Sequence, residues 1–181
     1  NLAYLMMRRY NQGKVVVFNT FQMYRTDRLQ YLMDSYAEAD REGYLLGAKL
    51  VRGAYMEKER ERAEKMGYPS PIHSSKEATD DAFNTGIRFC VDHYEHIVSC
   101  NASHNLASTA LQVKLIDEKG IPRNHPNLRF CQLYGMSDNL TFNLANAGYN
   151  AAKYVVYGQV REVVPYLIRR AEENSSITGD M

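Results

Sequence analysis

The sequence lacks the features that would place it in a special structural class. It has only 3 cysteines, with no Cys-x-x-Cys pair, which argues against a disulfide framework and against a zinc ribbon. No His-Glu-x-x-His motif, cysteine cluster or acidic triad is present, so no metal site is predicted. We therefore interpret Cys90, Cys100 and Cys131 as small buried apolar residues.

An excess of charge and a long hydrophobic run are also missing. Lys and Arg number 22 against 21 for Asp and Glu, so no overall positive field would attract nucleic acid. The longest apolar runs, such as residues 15–18, are far shorter than the roughly 20 residues that span a bilayer. A soluble domain without a nucleic-acid partner is predicted.

What is present is an alternation of short β-rich segments with longer amphipathic ones. The pattern predicts strands at residues 14–20, 45–51, 96–100, 128–133 and 152–157, each followed by a helix. Such an alternation is typical of a parallel sheet, either open and doubly wound or curved into a barrel. In either arrangement, ligand sites form beyond the carboxyl ends of the strands.

Two of the helices carry an apolar face that we expect to point inwards. The helix after the third strand would turn Ala107, Leu111 and Leu115 to the core. The last helix has an apolar stripe at helical spacing, formed by Val160, Val163, Val164, Leu167, Ile168 and Ala171.

The opposite face of the last helix carries two adjacent arginines. Arg169 and Arg170 lie within one arc with Tyr166 and Glu173. A solvated charged face is the simpler interpretation. The alternative is that the guanidinium groups bind the carboxylate of an amino acid or another small acid, with Glu173 orienting one of them.

Four segments together resemble the flavin-dependent proline dehydrogenase family. They are KLVRGAY at residues 49–55, ASHN at residues 102–105, LYGM at residues 133–136 and YLIRRAEEN at residues 166–174. The resemblance implies a (βα)8 TIM-type barrel, of which this chain would supply strands 4 to 8 with their helices. Residues 1–181 would then form a single catalytic domain whose N-terminal barrel strands are absent.

The resemblance also implies the chemistry and the residues that perform it. FAD would oxidise L-proline to Δ1-pyrroline-5-carboxylate and pass the electrons to a quinone. Lys49 and Tyr154 would be the catalytic residues. Lys49 stands where bacterial relatives often have an arginine and Arg52 where they have a lysine, which suggests the eukaryotic type.

The residues expected to bind the substrate are Arg169, Arg170, Tyr55, Leu133, Tyr166 and Glu173. Those expected to bind the cofactor are Gln22, Val51, Arg52, Gly53, Ala54, Lys76, Ser103, His104 and Asn105.

Completeness and location follow from the same resemblance. Five βα units cannot close an eight-stranded barrel, so both sheet edges would be open and two copies could associate through them. The isolated chain is therefore expected to have little activity. The full enzyme would be cytoplasmic or peripheral at the inner face of a bacterial membrane, or mitochondrial in a eukaryote, with peripheral membrane contact towards the quinone.

Two alternatives remain at this stage. One is another flavin barrel, such as a methylenetetrahydrofolate reductase, against which the paired arginines count. The other is a non-catalytic half-barrel or amino-acid-binding module. A flavin that is bound to the protein and reduced by proline would identify a proline dehydrogenase and exclude both alternatives.

Overall fold

Helices and strands alternate along the chain, as the sequence pattern predicts. The structure is a computed structural model that describes the backbone of residues 2–178 and the side chains of residues 2–171. The strands are β1 (Asn19–Gln22), β2 (Leu46–Val51), β3 (Ile97–Ala102), β4 (Leu128–Leu133) and β5 (Ala151–Tyr154). The helices are α1 (Leu2–Tyr10), α2 (Arg28–Glu42), α3 (Met56–Met66), α4 (Lys76–Asp92), α5 (Leu106–Glu118), α6 (Asp138–Asn146) and α7 (Val160–Thr178).

The described strands form one parallel sheet in the order β1-β2-β3-β4-β5. Each strand therefore pairs with the next one along the chain, as in a barrel wall, whereas a doubly wound sheet reverses its order at a switch point. Within the described part of the chain, β1 and β5 each have a single neighbour and the sheet does not close. The fold is thus α/β, with a parallel sheet that corresponds to part of a barrel.

One face of the sheet packs against the helices to form the core. The register places Phe21, Leu50, Asn101 and Phe130 in a row across β1 to β4, and all four are almost completely buried. Because side chains alternate along a strand, the neighbouring residues point to the other face. That second face carries the candidate functional site.

The first strand begins later than the prediction of residues 14–20. The cause is Asn11, which is fully buried and donates through Nδ2 to the carbonyl oxygens of Val17 and Leu45. Its Oδ1 accepts from the backbone N–H groups of Val16 and Val17. The Asn11 side chain thus forms the hydrogen bonds to the Val16 and Val17 backbone that a neighbouring strand would otherwise form.

The fifth strand ends at Tyr154, earlier than the predicted residue 157. Tyr154 pairs with Leu133, the last residue of β4, so the following residues have no ladder partner on that strand. They leave the sheet and lead into α7.

The predicted inward face of α5 is confirmed in part, because Leu111 and Leu115 pack against the core, whereas that of α7 was wrong. In α5 the buried side chains are Ser108, Thr109, Gln112 and Ile116, whereas Ala107 is exposed and Leu111 and Leu115 are only partly buried. Ser108 and Thr109 are tolerated there because their hydroxyl groups have hydrogen-bond partners.

In α7 the predicted apolar stripe is largely exposed, as shown by Val160, Leu167 and Ile168. The helix reaches the end of the sheet through Tyr166 and Arg169 on its other face. Among the described residues, no helix is both long and apolar enough to cross a lipid bilayer.

Candidate functional site

A cavity of about 710 Å³ lies over the carboxyl ends of the strands. All five strands contribute to it, because the ends of parallel strands meet at one edge of the sheet. Its lining residues are Gln22, Lys49, Val51, Arg52, Gly53, Ala54, Tyr55, Lys76, Ala102, Ser103, His104, Asn105, Cys131, Gln132, Leu133, Tyr154 and Arg170.

The lining contains every residue that the sequence predicts for cofactor binding, both predicted catalytic residues, and Tyr55, Leu133 and Arg170 of the substrate set. Arg169 and Tyr166 lie beside the cavity on α7. Glu173 is also on α7, but its side chain lies outside the described residues. The structure brings these residues together, while their individual roles stay predictions.

Aromatic rings and cations alternate at one end of the cavity. Lys49 Nζ lies 4.9 Å from the centre of the Tyr154 ring, and the Tyr154 and Tyr166 rings meet edge to face at 6.1 Å. The Arg170 guanidinium lies 4.9 Å from the Tyr166 ring centre. Cation–π contacts of this kind hold a guanidinium in place while its N–H groups remain able to bind an anion.

Arg169 is held against Tyr55 at the same end. Its guanidinium lies 5.1 Å from the centre of the Tyr55 ring. A hydrogen bond from Arg169 lowers the pKa of the Tyr55 hydroxyl, and the charge of Arg169 adds to this effect. Because Tyr55 follows β2 and Arg169 lies on α7, the contact connects the last helix to the rim of the sheet.

Arg52 is the centre of a polar network beneath the other end of the cavity. Its Nε donates to Asp80 at 2.7 Å, its Nη1 to Ser103 at 2.8 Å and its Nη2 to Ser108 at 2.9 Å. Lys76 donates to the second oxygen of Asp80 at 2.8 Å. Burial is the largest single influence and would raise the pKa of Asp80, but the hydrogen bonds and the positive charges of Lys76 and Arg52 together lower it.

This network gives Arg52 a structural role in addition to its place in the cavity lining, while the expected cofactor contact stays a prediction. Three of its nitrogens are bound to protein groups, so the side chain also fixes the loop after β2 against α4 and α5. Asp80 and Ser108 were not identified from the sequence. The available signal was the Lys76–Asp80 spacing of four residues, which is typical of any exposed helical ion pair.

Two further side chains in the loop after β3 are held by protein groups. Asn105 caps α5, because its Oδ1 accepts from the backbone N–H of Ser108 at 2.9 Å. His104 Nδ1 lies 2.9 Å from Ser137 Oγ. The loop after β3 is therefore fixed before any ligand binds.

The prediction that all three cysteines are buried apolar residues was right only for Cys90. Cys100 and Cys131 are partly buried, and Cys131 lines the cavity. Both stand on the cavity side of the sheet, where Cys131 is level with Ala102 and Cys100 is level with Lys49. Nothing in the sequence around them distinguishes them from core residues.

Replacing Gly53 with alanine is expected to disrupt the loop that ends β2. Gly53 has φ of +129°, and an added Cβ would lie 2.4 Å from the ring of Tyr24. Tyr24 cannot easily move, because it is buried and its hydroxyl donates to Glu59. We expect a loss of about 2 kcal/mol or more in the free energy of unfolding, measured by urea denaturation.

Gly67→Ala is the matched control for this substitution. Gly67 also has a positive φ, of +70°, but no atom lies within 4 Å of its added Cβ. Gly67→Ala should lower the free energy of unfolding by about 1 kcal/mol, from the strained backbone conformation alone. An equal cost at the two positions would show that the Tyr24 contact does not constrain Gly53.

The open parallel sheet and the ligand-sized cavity at its carboxyl end define an α/β domain of the barrel type. The sequence model of the family described as proline dehydrogenase matches residues 1–181, and the chain belongs to this family.

Individual relatives agree with this assignment. Proline dehydrogenase 1, mitochondrial, of Drosophila melanogaster is 40% identical over 182 residues, which cover 95% of this chain and 27% of the relative. Hydroxyproline dehydrogenase of Bos taurus is 40% identical over 170 residues, which cover 92% of this chain and 37% of the relative. The chain thus spans well under half the length of these relatives.

A solved structure shares the fold. Proline utilization A of Bdellovibrio bacteriovorus, crystallised after inactivation by N-propargylglycine, aligns with a TM-score of 0.79 and 27% identity. The alignment covers 86% of this chain and 16% of that protein.

Proposed function

We propose that this chain forms the substrate-binding and flavin-binding part of an enzyme that oxidises L-proline to Δ1-pyrroline-5-carboxylate. FAD would be the cofactor and a quinone the electron acceptor, in the first step of proline catabolism. The observation that carries the proposal is the pair Arg169 and Arg170, held by Tyr55 and Tyr166 at the edge of the cavity. Membership of the proline dehydrogenase family supports it.

The chemistry of the cavity fits an anionic dinucleotide such as FAD. The described part of the lining carries the cationic side chains Lys49, Arg52, Lys76 and Arg170, and none of these described lining residues is Asp or Glu. A diphosphate would be favoured by such a field. We propose that Gln22, Val51, Arg52, Gly53, Ala54, Lys76, Ser103, His104 and Asn105 hold it.

The remaining lining residues fit a small cyclic amino acid. We propose that Arg169 and Arg170 bind the proline carboxylate, with Glu173 orienting one guanidinium. Tyr154, Tyr55 and Leu133 would surround the ring and exclude water. Such positioning of a bound substrate against a cofactor accounts for a large part of catalysis in enzymes of this kind.

When bound, FAD would accept a hydride from the Cδ atom of proline, the ring carbon that adjoins the nitrogen on the side away from the carboxylate. The chain's contribution would be to hold that carbon towards the cofactor by fixing the carboxylate at the opposite end of the ring. Lys49 lines the cavity and contacts the Tyr154 ring. Its positive charge would favour an electron-rich cofactor, and its contact would orient Tyr154.

Tyr154→Ser is expected to reduce the preference for proline over 4-hydroxyproline. The Tyr154 ring lies between Lys49 and Tyr166, so it would limit the space beside the substrate ring. The shorter serine leaves room for a hydroxyl group. We expect the ratio of kcat/KM for proline to that for 4-hydroxyproline to fall about tenfold, because 4-hydroxyproline is then accommodated better.

Tyr157→Ser is the control, because Tyr157 lies in the same segment and is 99% exposed. It should leave the ratio unchanged. A ratio that also stays unchanged in Tyr154→Ser would remove Tyr154 from the proposed substrate site.

A dye-reduction assay separates the proposed function from its alternatives. With the purified protein and added FAD, L-proline should support reduction of an artificial electron acceptor, whereas 5-methyltetrahydrofolate, the reduced folate that could donate electrons in the reductase, should not. Reduction by the folate alone would favour the reductase alternative. Binding of proline without any reduction would favour a non-catalytic module.

The relatives also suggest where the protein acts. The Drosophila relative is named as mitochondrial, and we propose a mitochondrial location, with peripheral membrane contact towards the quinone. We further propose that residues 1–181 belong to one catalytic domain. The two open edges of the sheet, β1 and β5, could associate with another copy of the chain.

A further inference from the structure

Ser137 has an unusual backbone conformation. Among the described residues it is the one non-glycine residue with a positive φ, and its φ of 50° and ψ of 46° lie in the left-handed region. There the Cβ atom comes close to the following carbonyl oxygen, so glycine is favoured and other side chains are strained. A serine at this position therefore indicates that its hydroxyl group provides a contact that glycine could not.

The hydroxyl group does not serve the helix that begins next to it. Ser137 is the N-cap residue of α6, where a serine usually has an extended backbone and accepts a hydrogen bond from a backbone N–H of the first turn. Here the backbone is left-handed and the side chain makes no capping bond. Its Oγ lies instead 2.9 Å from Nδ1 of His104, 33 residues earlier in the chain. The side chain of Ser137 thus connects the loop after β4 to the loop after β3.

His104 lines the cavity, whereas Ser137 is not among the described lining residues. Ser137 therefore reaches the cavity only through the imidazole ring. A ring that is bound through Nδ1 cannot turn over without breaking that bond, and the bond at one ring nitrogen determines the role of the other. The contact thus fixes how the ring of His104 is presented to the cavity.

The segment around Ser137 is held from two sides. The Ser137 carbonyl oxygen accepts from the backbone N–H of Thr141 at 3.1 Å and from its hydroxyl at 3.3 Å. Lys153 on β5 donates to the carbonyl oxygen of Met136 and pairs with Asp138 at 2.6 Å. A strained backbone persists only where the surrounding contacts determine it in this way, and such strain is typical of functional positions.

We infer that Ser137 is a positioning residue for the cofactor, which holds the His104 imidazole in one orientation at the wall of the cavity. This inference rests on the proposed function, in which His104 helps to hold FAD. The left-handed backbone places the Ser137 hydroxyl group on Nδ1, so a serine is present despite the strain.

Ser137→Gly removes the hydroxyl group and the strain together, which separates a positioning role from a structural one. We expect the dissociation constant for FAD, measured by the change in flavin fluorescence on binding, to increase about tenfold, as for the loss of one hydrogen bond. The midpoint of urea denaturation should be unchanged or higher, because glycine adopts the left-handed conformation without strain. Unchanged FAD binding, or weaker binding together with a lower midpoint, would overturn the inference.

Ser137→Thr is the matched variant, because it keeps the hydroxyl group and increases the strain. A β-branched side chain is disfavoured at a positive φ, so the urea midpoint should fall. The dissociation constant for FAD should nevertheless stay close to that of the unaltered protein. A loss of FAD binding as large as in Ser137→Gly would contradict the role assigned to the hydroxyl group.

NMR of the protein without flavin tests the contact independently of the proposed function. The signals of His104, one of 5 histidines, are those that disappear in His104→Gln. With isotope-labelled histidine, the nitrogen chemical shift of Nδ1 should change in Ser137→Gly and stay close to its original value in Ser137→Thr, because it responds to the hydrogen bond with Oγ. An unchanged shift in Ser137→Gly would overturn the inference. If the shift changes but the unaltered protein binds no FAD, the proposed function fails, and the cofactor role of Ser137 with it, although the contact with His104 is present.

Discussion

Arg169→Met and Arg170→Met should each raise the KM for proline by about 100-fold or more, while flavin absorbance persists. Each substitution removes a guanidinium that we propose binds the substrate carboxylate. Losing one partner of a charge-assisted hydrogen bond costs about 2 to 5 kcal/mol when the other partner is left without compensation. Methionine keeps much of the apolar length of the side chain, so the contacts with Tyr55 and Tyr166 are partly retained.

Steady-state kinetics over a wide range of proline concentration measures this effect. Arg161→Met is the matched control, because Arg161 lies on the same helix and is largely exposed beside Glu162. Its KM should equal that of the unaltered protein. Unchanged proline kinetics in Arg169→Met and Arg170→Met would exclude the arginine pair as the carboxylate site.

Among the substitutions of charged residues, Arg52→Met is expected to lower the free energy of unfolding most. The Arg52 and Asp80 side chains are each only 23% exposed, and the guanidinium also binds Ser103 and Ser108. Removing it takes one donor from each of these partly buried acceptors, although Lys76 still donates to Asp80 and the Asn105 backbone N–H to Ser103. We expect the free energy of unfolding to fall by about 2 to 4 kcal/mol in urea denaturation.

Two other substitutions give this experiment its reference points. Arg41→Met removes an exposed ion pair, since the Arg41 side chain is 70% exposed, and should change stability by no more than about 0.5 kcal/mol. Arg52→Lys keeps the charge but cannot reproduce three separate contacts. Its loss in the free energy of unfolding should therefore lie between those of Arg41→Met and Arg52→Met. If Arg52→Met were no more costly than Arg41→Met, the network would not stabilise the loop after β2.

The sequence was sufficient to predict at which edge of the sheet the cavity lies. Strand β4 was predicted with its observed ends, and β2 was displaced by one residue at its start. Because all the strands are parallel, residues after or near their carboxyl ends had to converge, as Gln22, Tyr55 and His104 do. The roles of these residues came from the resemblance to a family and not from the spacing.

What the sequence could not predict depends on contacts between distant residues. Asn11 replaces part of a sheet ladder through its side chain, and no local pattern announces this. Arg52 binds Ser108 across 56 residues. The apolar stripe of α7 follows helical spacing correctly, but spacing alone does not reveal that Leu167 and Ile168 are exposed in this structure.

An absorbance spectrum of the purified protein, recorded with and without L-proline under anaerobic conditions, tests the central claim most directly. It reports cofactor binding and substrate oxidation in one sample. Our account predicts a flavin spectrum that is bleached when proline is added. A protein that binds no flavin when FAD is supplied, or a bound flavin that proline does not reduce, would contradict it.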